Sequence, residues 1–213
     1  MAQRTIHYLI GEELIRRCGF ADAERFRAGN LLPDAHTHTS HREITHYPFS
    51  YMSGGEEMRG YDFERFRREF FPRVENDGLY LGYYMHLVED ACYRQMWKAH
   101  GLKGRIKSEE DIRLLHNDYH ILNSHIASRC AAREIAYPEN FESEPIGRIY
   151  PFRLRETLDA LGRDFLERTE GETHFVTVDM LEEYLESSIP VCVDALERII
   201  SGAEPADPVA LSW

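Results

Sequence analysis

Apolar side chains recur at intervals of three and four along most of this chain, the spacing that lines one face of an α-helix. The clearest run is Leu79 to Asp90, where Leu79, Tyr83, Leu87 and Ala91 form a stripe with Gly82, His86 and Asp90 alongside. This pattern predicts a helix that follows Gly78 and reaches about His100. A second helix is predicted from Thr5 to Cys18, with His7, Ile10, Leu14 and Cys18 aligned and Gly19 as its stop. Ala21 to Arg27 reads as a short helix, and Tyr61 to Phe71 as another with a Phe63, Phe66, Phe70 stripe ended by Pro72. Ser108 and Asp111 resemble a capping box opening a long helix to about Ala132, striped by Ile112, Leu115, Tyr119, Leu122 and Ile126. Three further helices are expected at Arg153 to Thr169, Asp179 to Ser187 and Pro190 to Ile200, with Pro190 at a first helical position.

Between these lie a Tyr137 to Pro151 linker and a stretch from Asp34 to Gly60 that carries no regular period. Long irregular stretches in compact domains serve function or are disordered, and the histidines and aromatics here favour function. No apolar and polar alternation persists long enough to build a sheet, and no repeat is present. The fold class is therefore all-α: a single-domain multi-helix bundle over residues 1–201, followed by a loosely packed tail over 202–213.

The 213 residues are 43% hydrophobic and 29% charged, which suits a globular chain with a sizeable core. A formal net charge of -12 without a long basic run argues against a nucleic-acid duplex or an anionic membrane as partner. It leaves room for a small phosphorylated substrate neutralised by metal. Neither a signal peptide nor a membrane span is visible, so a cytoplasmic location is expected. Cys18, Cys92, Cys130 and Cys192 are widely spaced and read as buried thiols in a reducing compartment. Nothing in the sequence addresses oligomeric state.

Histidine is the residue type that changes the picture. Of the eleven in the chain, His36, His38, His41 and His46 fall close together in the irregular stretch. His86 and Asp90 lie four apart on one core-facing side of a helix, and His7 faces the core of another. Buried ionisable groups are costly unless paired or bound to metal, and helical bundles assemble metal sites from facing side chains. With Asp34 opening the histidine-rich loop, these residues point to a metal site, and imidazole with carboxylate suits zinc or a related divalent ion. His116 and His120, also four apart, read either as a further metal pair or as a polar flank. Asp118 lies near the Leu115–Leu122 stripe and is a candidate to face the core. Gly54-Gly55 lacks the strand and helix context of a phosphate loop, and no Gly-x-Ser-x-Gly elbow or adjacent His-Asp dyad occurs.

Four short motifs, taken in order, resemble the zinc-dependent phospholipase C family, whose helical fold is shared with zinc-dependent single-strand nucleases. Thr5-Ile6-His7-Tyr8-Leu9-Ile10-Gly11 is similar to its Thr-His helix start, with one residue inserted after the threonine. Gly29-Asn30-Leu31-Leu32-Pro33-Asp34 is similar to its Gly-x-x-x-Pro-Asp turn, and Thr45-His46-Tyr47 to its Ser-His-Phe histidine. Gly82 to Asp90 resembles its Gly-Tyr-x-x-His-x-x-x-Asp helix most closely. The resemblance covers residues 5 to about 90. It implies that Asp90 bridges two metals, that His86, His46 and Asp34 hold one, and that His7 helps hold the other. Extracellular members use a mature N-terminal residue as a ligand, and without a signal to remove, His36 or His41 becomes the substitute, or the second metal is weak. The family's third metal has no clean counterpart: His116 and His120 are roughly placed, but the carboxylate at the family spacing is missing. One or two zinc-type ions are therefore expected, with Asp34 as a ligand or as the base that orients water, and residues 35–60, including Tyr47, Phe49 and Tyr51, shaping access. The implied activity is metal-dependent hydrolysis of a phosphate ester or phosphodiester. The alternative is a non-catalytic metal-binding helical protein that keeps the fold.

Overall fold

The computed structural model describes residues 2–19, 22–36, 42–131 and 133–213. Among these the chain is mostly helical, 64% helix and 6% strand. Helices α1 (Arg4–Cys18) and α2 (Ala23–Leu31) lead into a 3-10 turn at Leu32–Asp34, then a single turn α3 (Arg42–Thr45). A hairpin of β1 (Pro48–Ser53) and β2 (Glu56–Tyr61) comes next, then α4 (Phe63–Phe70), α5 (Arg73–Asn76), α6 (Gly78–Ala99) and α7 (Leu102–Arg105). The chain closes with α8 (Glu109–Arg129), two 3-10 turns, α9 (Leu154–Asp164) and α10 (Val178–Ile200). No helix is long and apolar enough to cross a membrane among the described residues.

The organising element is α6, and it is more than an amphipathic helix. Every residue from Gly78 to Tyr93 is buried, because the neighbouring helices surround it on all sides. Two glycines permit the closest approach. A Cβ on Gly29 of α2 would lie 2.0 Å from the Leu79 carbonyl oxygen, and one on Gly82 of α6 would lie 2.1 Å from the Phe26 oxygen. The α2 and α6 backbones therefore touch, and Asn30 at the end of α2 is pressed against the turn of α6 that carries His86.

Local signals explain several of the element starts. Ser108 and Asp111 form the expected capping box at the start of α8, and Asp62 caps α4 by accepting from the Arg65 amide at 2.9 Å. Phe63, Phe66 and Phe70 are buried as expected, whereas Ile112 of the expected α8 stripe is exposed.

Three expectations require correction. Residues 48–60 are not irregular and Tyr61 ends a strand rather than opening a helix: β1 and β2 pair antiparallel around Gly54 and Gly55, whose φ angles of +59° and +87° suit a two-residue hairpin turn. Both strands are largely exposed, so neither shows the buried alternation that marks a strand. Second, Pro190 does not begin a helix but lies inside α10. Pro190 and Glu186, whose carbonyl loses its partner, both face solvent, while the buried stripe from Leu181 to Ile199 runs past them unbroken. Third, residues 202–213 are tied down rather than loosely held. The Ala206 amide donates to the Tyr84 hydroxyl at 2.9 Å, and Gln95 donates to the Ala210 carbonyl at 2.9 Å. Trp213 exchanges two backbone hydrogen bonds with Arg59 of β2, at 3.0 and 2.9 Å, and its indole packs on Tyr61.

Candidate metal centre

Four elements converge where α6 passes the end of α2. His86, Glu89 and Asp90 come from α6, His7 from α1, Asp34 from the 3-10 turn after α2, and His46 from the residue after α3. His7, His86, Glu89 and Asp90 are completely buried, His46 is 1% exposed, and Asp34 alone reaches the surface, at 14%. Two sets of ligand atoms cluster within 4.8 Å: His7, His86 and Asp90, and Asp34, His46 and His86.

The orientation of each ring is set by its far nitrogen. His86 Nδ1 donates to the Asn30 carbonyl at 2.8 Å, so its Nε2 is the free lone pair. His7 Nδ1 donates to the Glu89 carboxylate at 2.6 Å, and Glu89 also accepts from the Asn30 amide at 2.8 Å. His46 Nδ1 contacts the Thr45 hydroxyl at 2.9 Å. All three Nε2 atoms consequently face inward. His46 Nε2 lies 3.3 Å from His86 Nε2, 3.4 Å from Asp34 Oδ1 and 3.6 Å from Asp90 Oδ2. His7 Nε2 lies 3.6 Å from Asp90 Oδ1, with its ring stacked 3.8 Å from that of His86. The Ala2 amide donates to Asp90 Oδ1 at 2.9 Å, and the Tyr61 hydroxyl approaches Asp90 Oδ2 at 3.3 Å.

Electrostatics divides the cluster. Burial, with the nearby His7 charge, lowers the His86 pKa to about 3, which keeps that imidazole neutral and able to ligate. Burial also opposes charge on His7, but the neighbouring Asp90 and Glu89 carboxylates outweigh it and raise the pKa to about 10, so an ion taking Nε2 would displace a proton. For Asp34, burial is overcome by the neighbouring His46 and His86 rings, and the carboxyl is held well below its ordinary range. Asp90 moves in the same direction: burial is outweighed by its neighbours, His7 among them. Glu89 moves the opposite way, pushed up by burial.

A divalent ion fits this donor set. His7 Nε2 and Asp34 Oδ1 are buried without a hydrogen-bond partner, although each lies at the centre of the cluster. Buried polar atoms of this kind ordinarily find a partner, and a metal satisfies several at once.

The structure thus brings together His7, Asp34, His46, His86 and Asp90. His36 lies at the rim, its Nε2 3.9 Å from Asp34 Oδ1, and belongs to neither ligand set. His38 and His41 fall outside the described residues. His116 and His120 do not reach the centre: both are exposed, His120 pairs with Glu167 at 2.7 Å, and His116 stacks on Tyr119. They form a polar flank of α8, because the stripe of that helix turns the other way. Asp118 is buried as expected, but it accepts the backbone amides of His174, Phe175 and Val176 at 2.8, 2.7 and 3.0 Å and belongs to neither ligand set. The residue that sequence reasoning missed is Glu89. A helix read with a single buried stripe assigns it to solvent, whereas the apolar character on every side of Leu79 to Tyr93 is the signal that would have placed it inside. Comparison with protein-family models, curated proteins and solved structures gives no match.

Proposed function

We propose that this protein is a metal-dependent hydrolase of a phosphate ester or phosphodiester, using one or two zinc-type ions. The observation that carries the reading is the inward convergence of three histidine Nε2 atoms and two carboxylates, with His7 Nε2 and Asp34 Oδ1 otherwise unpartnered. His86 has one free nitrogen and serves one ion. Asp90 turns Oδ1 toward His7 and Oδ2 toward His46 and would help hold an ion on either side. Asp34, His46 and His86 would hold the first ion and His7 the second. A divalent ion in such a centre neutralises phosphoryl oxygen charge and lowers the pKa of bound water toward 7.

The remaining chemistry belongs to the side chains. The Asn30 carbonyl and the Glu89 carboxylate orient His86 and His7 so that Nε2 faces the centre. Asp34, the one member that meets the surface, would orient the attacking water at the mouth of the site. The buried walls, with Tyr61 against Asp90, exclude bulk water from the other sides.

The test is metal analysis of the purified protein, then a screen on phosphomonoester, phosphodiester and phospholipid substrates. About one to two equivalents of a divalent metal are expected, with hydrolysis of one ester class. His86→Ala and Asp90→Asn should each lose metal and at least about a hundredfold in rate. Bound metal and hydrolysis both surviving those substitutions would refute the reading. Metal without turnover of any ester would favour a binding protein instead.

A further inference from the structure

Beside Asp34 the surface opens into a cleft of about 560 Å³, lined also by Arg4, His36, Arg153, Glu156 and Arg163. Three guanidinium groups in one cleft stand out on a chain of net charge -12. Their placement follows from the fold. Thr157, Ala160 and Arg163 lie three apart along a single face of α9, with Arg153 at its N-cap, and that face forms one wall. The Arg153 amide donates to the Ala35 carbonyl at 2.8 Å, which docks the start of α9 against the turn carrying Asp34. Ala160, midway along the face, leaves the cleft wide.

The three arginines are not equally committed. Arg4 is held by both oxygens of Asp164, and Arg153 reaches Glu156 at 3.3 Å from an exposed position. Arg163 is exposed and has no ion-pair partner among the described residues. A planar guanidinium with unused donors matches a phosphate oxyanion in bidentate fashion. Asp34 is the boundary between the buried centre and this cleft, so a molecule with one phosphate at the centre extends along α9.

We propose that the cleft selects substrates carrying a second phosphate group, which Arg163 and Arg153 bind while the first sits at the centre. The inference deepens the hydrolase reading above and rests on it for the location of the first phosphate. The test is calorimetric titration of the zinc-loaded protein with propanediol bisphosphate and, separately, with propyl phosphate. The bisphosphate should bind about tenfold more tightly, as expected for added charge-assisted hydrogen bonds. Arg163→Gln and Arg153→Gln, both at exposed positions, should shrink that advantage to about twofold or less and leave propyl phosphate affinity unchanged. Equal affinities in the unmodified protein, or an advantage that survives both substitutions, would overturn the assignment. Turnover measured on the same two esters separates the two ideas. A bisphosphate preference without hydrolysis of these or of any ester in the screen above keeps the cleft and removes the hydrolase reading, while hydrolysis without the preference does the reverse.

Discussion

Replacing Glu89 by glutamine is the most discriminating single change the centre offers. Glu89 is fully buried and accepts two hydrogen bonds, from His7 Nδ1 at 2.6 Å and from the Asn30 amide at 2.8 Å. Both partners present N–H groups, which a carboxylate satisfies with its two oxygens. Glutamine offers one oxygen and one NH2, so either His7 or Asn30 is left facing a donor. The histidine loses its charged acceptor in either case. A hydrogen bond to a charged group contributes about 1.5–3 kcal/mol, and removing a partner that orients a metal-binding histidine costs about 10- to 100-fold in affinity, or about 1.4–2.7 kcal/mol. The two routes agree. Glu89→Gln is thus expected to weaken zinc binding by about that factor, measured by competition against a chromophoric chelator. If Glu89 acts through His7, the loss disappears in a His7→Ala background, because no imidazole remains to be oriented. An affinity within about twofold of the unmodified protein, or an equal loss in both backgrounds, would refute the reasoning.

The remaining predictions probe packing and linkage. Gly82→Ala forces a methyl to 2.1 Å from the Phe26 oxygen, and it should destabilise the fold by about 3 kcal/mol or more in chemical denaturation. Asp118→Asn turns an amide toward the backbone donors of residues 174–176 and should cost about 2 kcal/mol, with zinc affinity unchanged by the chelator assay. Removing metal with a chelator should lower stability by about 4 kcal/mol relative to protein held at a thousandfold excess over Kd. For a chain of this size that corresponds to a fall of about 8–16 °C in the thermal midpoint.

How much of this was legible in the chain depended on whether local spacing or tertiary context carried the signal. His86 and Asp90 could be read because four residues on a helix make one face, and His7 because it interrupts an otherwise apolar side of α1. His46 had no periodic signal: the histidine-rich loop made it one of four candidates, and the motif resemblance singled it out. The hairpin escaped because its strands are too exposed to alternate, although two glycines between short runs were a usable turn signal. Pro190 misled because its cost inside a helix depends on whether the released carbonyl meets water, which only the packing of α10 determines. Glu89 lay hidden for the related reason that one stripe was assumed where every side is buried.

These two kinds of information meet at Asn30. Its side chain holds Glu89, and its carbonyl fixes the tautomer of His86, yet nothing in its own sequence neighbourhood marks it as part of a metal centre. It gains both roles because Gly29 and Gly82 bring α2 and α6 into backbone contact beside it. Widening that contact by a methyl group on either glycine would move the Asn30 carbonyl away from His86 Nδ1, and with it the preference that leaves Nε2 facing the centre. The same close approach therefore contributes to the stability of the fold and to the chemistry of the site. A glycine substitution mild enough to fold should still bind zinc more weakly, in proportion to how far the two helices separate.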